Sequence, residues 1–264
     1  MKKIEQIKKL FYAYSPLKSN QQLIKDYINI TYDSIDPKSN IRELYNEIIF
    51  SEFLNETVIK SNFVSKFCFN KSPRNTITIF ELNSFNSRAD ICVVNGNSEV
   101  FEIKTIYDTF LRLDDQLHDY SLLYDYINII IPREKVQEAL GVLPEYAGLI
   151  MYYKNRLGNI TFKKIKKPSI NNEISAVAQL SQLTKRELLK LGNFYNRNQT
   201  NKEQIIDEII AKYTPCEIND IFKSYIKNKY REQWLYLYNN YEKIYKLDYQ
   251  WFFKNNISYK LVYK

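Results

Sequence analysis

The stretch Ser87-Arg88-Ala89-Asp90-Ile91-Cys92-Val93-Val94-Asn95-Gly96-Asn97-Ser98-Glu99-Val100-Phe101-Glu102-Ile103-Lys104 decides how this chain is read. Strand-forming residues flank Asn95-Gly96, so two strands are joined by a tight turn. Period-two geometry sends Glu102 and Lys104 to one face of their strand and Ile103 to the other. The place of Asp90 depends on the turn. A two-residue loop pairs Val94 with Asn97 and leaves Asp90 and Glu102 on opposite faces. A three-residue Asn95-Gly96-Asn97 loop pairs Val94 with Ser98 and sets Asp90 opposite Glu102, with β-carbons ~5 Å apart. The three-residue loop, or an equivalent bulge, is expected.

Two carboxylates that close repel one another unless a cation lies between them. Hard oxygen donors favour Mg²⁺ or Mn²⁺, which polarise a phosphate and generate hydroxide from bound water. Lys104, on the same edge, can orient that water or stabilise developing charge. Asp90 and Glu102-Ile103-Lys104 thus supply the parts for phosphodiester hydrolysis without histidine. The composition asks for the same economy. The 264 residues contain a single His, His118, which excludes His-rich zinc sites and mechanisms that need two imidazoles. Cys68, Cys92 and Cys216 form no Cys-x-x-Cys pair, so neither a zinc ribbon nor a disulfide framework is expected and a reducing, cytoplasmic compartment is. Cys92 reads as a small buried filler.

Outward from that stretch, 1–35 reads as amphipathic helix with a Ser19-x-x-Gln22 capping box, and 40–54 repeats the helical pattern. Strands are expected at 76–82, 88–94, 99–104, 126–131 and 147–153, with one helix at about 108–124. On that helix Asp108, Arg112, Gln116 and Tyr120 recur every four residues as one stripe, beside Leu113, Leu117 and Tyr124, while His118 points away. The basic, Pro-terminated segment 163–168 marks a boundary and either grips phosphate or is a solvated linker. Beyond it, Thr184-x-x-Glu187, Thr200-x-x-Glu203 and Thr214-Pro215-Cys216-Glu217 each open a short helix. Three segments result: 1–39, helical; 40–167, the α/β core; and 168–264, a basic, aromatic-rich helical region.

Charge follows this division. Residues 1–153 hold 17 Lys+Arg and 20 Asp+Glu, net −3, whereas 154–264 hold 21 and 10, net +11. The asymmetry points to an anionic partner such as nucleic acid, docked mainly by the C-terminal part. From 225 to 264, 13 of 40 residues are aromatic. Trp234, Tyr238, Tyr241 and Tyr245 have the spacing of a helix packed on a core, the reading favoured over base stacking. No apolar run approaches a signal peptide or the ~20 residues of a membrane span, so no membrane partner is expected.

In its motifs the chain resembles the PD-(D/E)XK nuclease superfamily, with Asp90 and Glu102-Ile103-Lys104 at the motif positions. It is similar to a bacterial and phage branch carrying Arg-x-Asp, Glu-Ile-Lys and Asp-x-x-x-Arg-Leu-x-x-Gln-x-x-x-Tyr, here Arg88, Asp90, Glu102 to Lys104, Asp108, Arg112, Leu113, Gln116 and Tyr120. The likeness covers about 40–153; Ala89 stands where many members have Pro. It implies a restriction-endonuclease-like core, a mixed central sheet flanked by helices, followed by a helical C-terminal region. It further implies a metal-dependent nuclease, with DNA favoured as substrate and RNA left open, and with Mg²⁺ or Mn²⁺ held by Asp90, Glu102 and the Ile103 carbonyl. Lys104 would assist the water; Gln116 would touch that water or the phosphate, with Arg112 behind. A further acid completes such sites, Glu81 by the branch's spacing or Glu47 by the wider superfamily's, with Glu81 preferred. The alternative is the same fold kept as a binding module without turnover. A role in phage or mobile-element defence and self-association into a homodimer are left open. Residues 180–212 look like the helix–extended–helix unit of SAP-type DNA-binding modules, which makes Lys185, Arg186, Arg197 and Lys202 candidate phosphate contacts.

Overall fold

The computed structural model describes residues 2–36, 39–192, 201–254 and 261–263. The chain is mixed α/β, with one six-stranded sheet flanked by helices and a helical C-terminal region. In chain order the elements are α1 (Lys2–Ala13), α2 (Asn20–Thr31), α3 (Ile41–Glu52), α4 (Glu56–Phe67), β1 (Ile77–Ser84), β2 (Ser87–Val94), β3 (Ser98–Ile103), α5 (Leu113–Ser121), β4 (Tyr126–Pro132), α6 (Val136–Val142), β5 (Gly148–Lys154) and β6 (Ile160–Lys166). They continue with α7 (Ala176–Ser181), α8 (Lys185–Gly192), α9 (Lys202–Lys212), α10 (Pro215–Asn240) and α11 (Trp251–Lys254).

Two compact units cut across the three segments read from the sequence. One comprises 1–73, 152–162 and 233–264, the other 74–151 and 163–232. The helices after 168 are therefore no separate region. Those up to 232 belong with the sheet, and the remainder belongs with the N-terminal helices.

Across the sheet the strand order is β1-β2-β3-β4-β5-β6. β1, β2 and β3 form an antiparallel meander, and β4 runs parallel to β3 after the α5 crossover. The basic segment read as a boundary, either a phosphate grip or a solvated linker, falls largely in strand β6, whose Lys163 and Lys164 side chains are exposed. Lysines on an outer strand discourage pairing with another chain, and this explains why the segment mimicked a linker. The helix at 108–124 is shorter than expected. Asp108 Oδ2 accepts from the Thr105 backbone N–H and hydroxyl, both at 2.6 Å, so a turn precedes α5, which starts at Leu113. Capping boxes form at Thr184 and Thr214. The third helix is capped by Asn201, Thr200 lying outside the described residues, and the helix begun at Pro215 is 26 residues long rather than short.

The helical unit buries Ile7, Leu10, Leu23, Ile41, Tyr45, Ile49 and Phe53 in one cluster. Trp234 is fully buried and stacks on Phe69, centroids 5.6 Å apart, and Tyr241 stacks on Phe69 at 4.3 Å. The aromatic stripe thus packs, as its spacing favoured. Asp248, fully buried in the same unit, accepts from the Tyr14 hydroxyl at 2.9 Å and the Tyr263 hydroxyl at 2.5 Å. Burial pushes its carboxyl from the ordinary 3.8 up to about 6, against the hydrogen bonds from Tyr263 and Tyr14 and the Arg42 charge, which pull it down. A raised folded-state pKa means that stability is full below pH 4 and is lost as pH rises through 6. Asp248→Asn should therefore flatten the fall in unfolding free energy between pH 4 and 6, a term of about 3 kcal/mol, in denaturant titrations across that range. An unchanged slope would refute the assignment.

Candidate active site

The turn that joins β2 and β3 fixes the site. Val94 pairs with Ser98 and Ile91 with Phe101, so the loop is Asn95-Gly96-Asn97, with Gly96 at φ 108° and the Asn95 N–H donating to the Asn97 carbonyl at 3.0 Å. Continuing that register places Asp90 opposite Glu102. On the other side Phe80 pairs with Ile91 and Leu82 with Ala89, which places Glu81 opposite Asp90. Glu81, Asp90 and Glu102 therefore form a row across three adjacent strands, and all three are buried.

Glu81 sits at φ 59°, the left-handed region that a non-glycine residue enters at a cost of roughly 1–2 kcal/mol. Its carboxylate comes within 4.8 Å of an oxygen of Asp90, and Arg88 Nε approaches its Oε2 to 2.6 Å. The Arg-x-Asp spacing thus places a half-exposed guanidinium at the edge of the acidic row. Glu47, the alternative acid, is exposed on α3 of the helical unit.

The other members are held by hydrogen bonds. Asp90 Oδ2 accepts from the Ile103 N–H at 2.7 Å, so Ile103 meets the acid through its amide. Lys104 Nζ donates to Glu102 Oε1 at 2.9 Å and to Gln116 Oε1 at 2.5 Å, and Gln116 Nε2 donates to Glu102 Oε1 at 2.6 Å. This closed ring leaves the amide one sensible orientation, oxygen to ammonium and nitrogen to carboxylate. The Tyr120 hydroxyl donates to Glu102 Oε2 at 2.7 Å. Burial first, and then the Glu102 charge, push that hydroxyl far above its ordinary range, so it remains a donor.

Of the residues expected at the site, Glu81, Asp90, Glu102, Ile103, Lys104 and Gln116 come together. Arg112 is exposed ahead of α5 instead of continuing the stripe, and His118 is exposed. Tyr120 belonged to the stripe, but its bond to Glu102 was not read from it. Period four from Gln116 was the signal. Arg186 is exposed on α8, Lys185 is half-buried there, and Lys202 Nζ donates to the Ser181 carbonyl at 2.7 Å, a structural use. Arg197 lies outside the described residues. None of the described cysteines is in a disulfide, and burial pushes the Cys92 thiol up, in keeping with a filler.

A divalent cation fits this donor set. The acids offer hard oxygens, two of them are close enough to converge on one ion, and Arg88 and Lys104 already bring positive charge to the row. Among the described residues no helix is long and apolar enough to cross a membrane.

The family model described as bacteriophage P4 protein cII matches residues 50–249, a span that includes the whole acidic row. Protein cII of Enterobacteria phage P4 is 26% identical over 149 residues, a match that spans 56% of this chain and 56% of that protein. Among solved structures, a protein of unknown function from Silicibacter pomeroyi is similar at 14% identity and a TM-score of 0.36, over 56% of this chain and 99% of that one. With 200 of its 264 residues inside the model's limits, the chain belongs to the bacteriophage P4 protein cII family.

Proposed function

We propose that the protein is a metal-dependent nuclease that hydrolyses phosphodiester bonds in nucleic acid, DNA before RNA. One observation carries this reading: the row Glu81, Asp90 and Glu102 ends on an ammonium, Lys104, that touches Glu102 and Gln116. Asp90 and Glu102, with Glu81 beside them and the Ile103 carbonyl, would hold Mg²⁺ or Mn²⁺. Such an ion, when bound, polarises a phosphate and lowers the pKa of a bound water. The chain's own groups do the rest. Lys104 presents a positive donor where negative charge grows, held by two acceptors so that it need not reorganise. Gln116 and Tyr120 are positioning residues that fix the Glu102 carboxylate from both oxygens. The net +11 of residues 154–264 supplies the attraction for a polyanion.

The test is cleavage of plasmid and single-stranded DNA in Mg²⁺ or Mn²⁺. Lys104→Ala should slow it on the order of 10²–10³-fold, the scale of losing one preorganised charge-stabilising donor. Equal rates would move the activity to another site. A second reading, binding without turnover, is favoured by one feature: both Glu102 oxygens already accept hydrogen bonds from the protein. Calorimetry with Mn²⁺ separates the two, since an inert relic gives no acid-dependent metal binding.

A further inference from the structure

The segment 105–112 begins one residue after Lys104 and exposes apolar side chains. Ile106 is 49% exposed, Tyr107 67% and Leu111 88%. Exposed apolar groups gathered in so short a segment mark a contact surface more often than chance. The segment is also held in shape. Asp108 ties back to Thr105 at 2.6 Å through two bonds, Lys135 Nζ donates to the Asp108 carbonyl, and the same ammonium lies 5.6 Å from the centre of the Phe110 ring. Leu113 N–H then donates to the Phe110 carbonyl at 2.9 Å, leading into α5. A loop so braced presents its apolar tip without a large ordering cost on binding.

Tyr107 is three residues from Lys104, a reach of at most about 11 Å, which keeps it within a few nucleotides of a phosphate held at the carboxylate row. We propose that Ile106, Tyr107 and Leu111 form a stacking platform for an unpaired nucleobase beside the scissile phosphate, so that the substrate is single-stranded or frayed nucleic acid. The inference rests on the nuclease reading and supplies its substrate class. In a duplex the faces of the bases are already stacked on their neighbours, so the platform meets only backbone. In a single strand every base offers a π-face, and stacking tolerates any sequence. Lys135, fixed beside the platform, adds a cation for the adjoining phosphate.

The test is fluorescence anisotropy in EDTA with a labelled single-stranded oligonucleotide and its duplex. Tyr107→Ala combined with Leu111→Ser should weaken single-strand binding about tenfold and duplex binding by less than about twofold, with the salt slope unchanged because no phosphate contact is removed. Leu111→Ser alone, at a side chain too exposed to affect folding, should show a smaller loss in the same direction. Tyr107→Phe, which keeps the ring, should bind as wild type. Unchanged single-strand binding, or an equal loss on both substrates, overturns the platform even where wild type cleaves. A wild type that binds neither form overturns the platform and the nuclease reading together.

Discussion

Asp90→Asn is expected to lower metal-dependent cleavage on the order of a thousandfold while making the metal-free protein more stable. The substitution keeps the shape and an oxygen to accept the Ile103 N–H, which Asp90 does at 2.7 Å. It removes one of two buried charges whose oxygens lie within 4.8 Å of each other in Glu81 and Asp90. Like charges at that range oppose one another, an opposition that Arg88, 2.6 Å from Glu81, offsets in part before any metal binds. Urea titrations in EDTA should show the variant gaining, and adding Mn²⁺ should stabilise wild type alone, as ligand linkage requires. A variant less stable in EDTA, or one that cleaves normally, would contradict the role given to this acid.

Asp125→Ala should be the most damaging single change to the sheet unit. Asp125 Oδ2 accepts from the Ser98 N–H at 2.6 Å and the Ser98 hydroxyl at 2.9 Å, and its own N–H donates to Ser98 Oγ at 3.0 Å. Its Oδ1 accepts from Asn219 at 2.8 Å, and Lys223 stands 3.6 Å away. Asn219 in turn accepts from Gln179, which donates as well to the Leu123 carbonyl. The network joins β3, the end of the α5 crossover, α7 and α10. Removing the acid takes the acceptor from the Ser98 N–H and hydroxyl and from the Asn219 amide, while Lys223 keeps Asp220 at 3.0 Å; three buried donors without an acceptor cost about 3–5 kcal/mol, or roughly 10 °C in melting temperature for a unit of this size. Because Ser98 is the partner of Val94 that sets the three-residue turn, activity should fall with stability. Thermal melts of Asp125→Ala and the milder Asp125→Asn would check this; a loss under about 1 kcal/mol would show the network to be dispensable.

What could be read in advance followed from short-range rules. Asn95-Gly96 and alternation gave the hairpin, and counting positions through the three-residue turn gave the pairing of Asp90 with Glu102. The misses have physical causes. Helix α4 was passed over because Thr57, Val58, Ile59, Lys60, Ser61, Phe63 and Val64 are all buried, so it has no polar face to betray its period. Strand β6 was hidden by the lysines that protect it. The onset of α5 was misplaced because Asp108 serves Thr105 in a turn, a competition that periodicity does not register. Nothing in the sequence announces the left-handed backbone of Glu81, which depends on its neighbours in the sheet. Tyr120 was visible as the residue one turn beyond Gln116, but which Glu102 oxygen it serves required coordinates.

Incubating an end-labelled single-stranded oligonucleotide with wild type and with Asp90→Asn, in Mg²⁺ and in EDTA, tests the carboxylate row most directly. The account predicts shortened products only from wild type and only with the metal. Intact oligonucleotide from wild type in both Mg²⁺ and Mn²⁺, or equal cleavage by the Asp90→Asn protein, would contradict it.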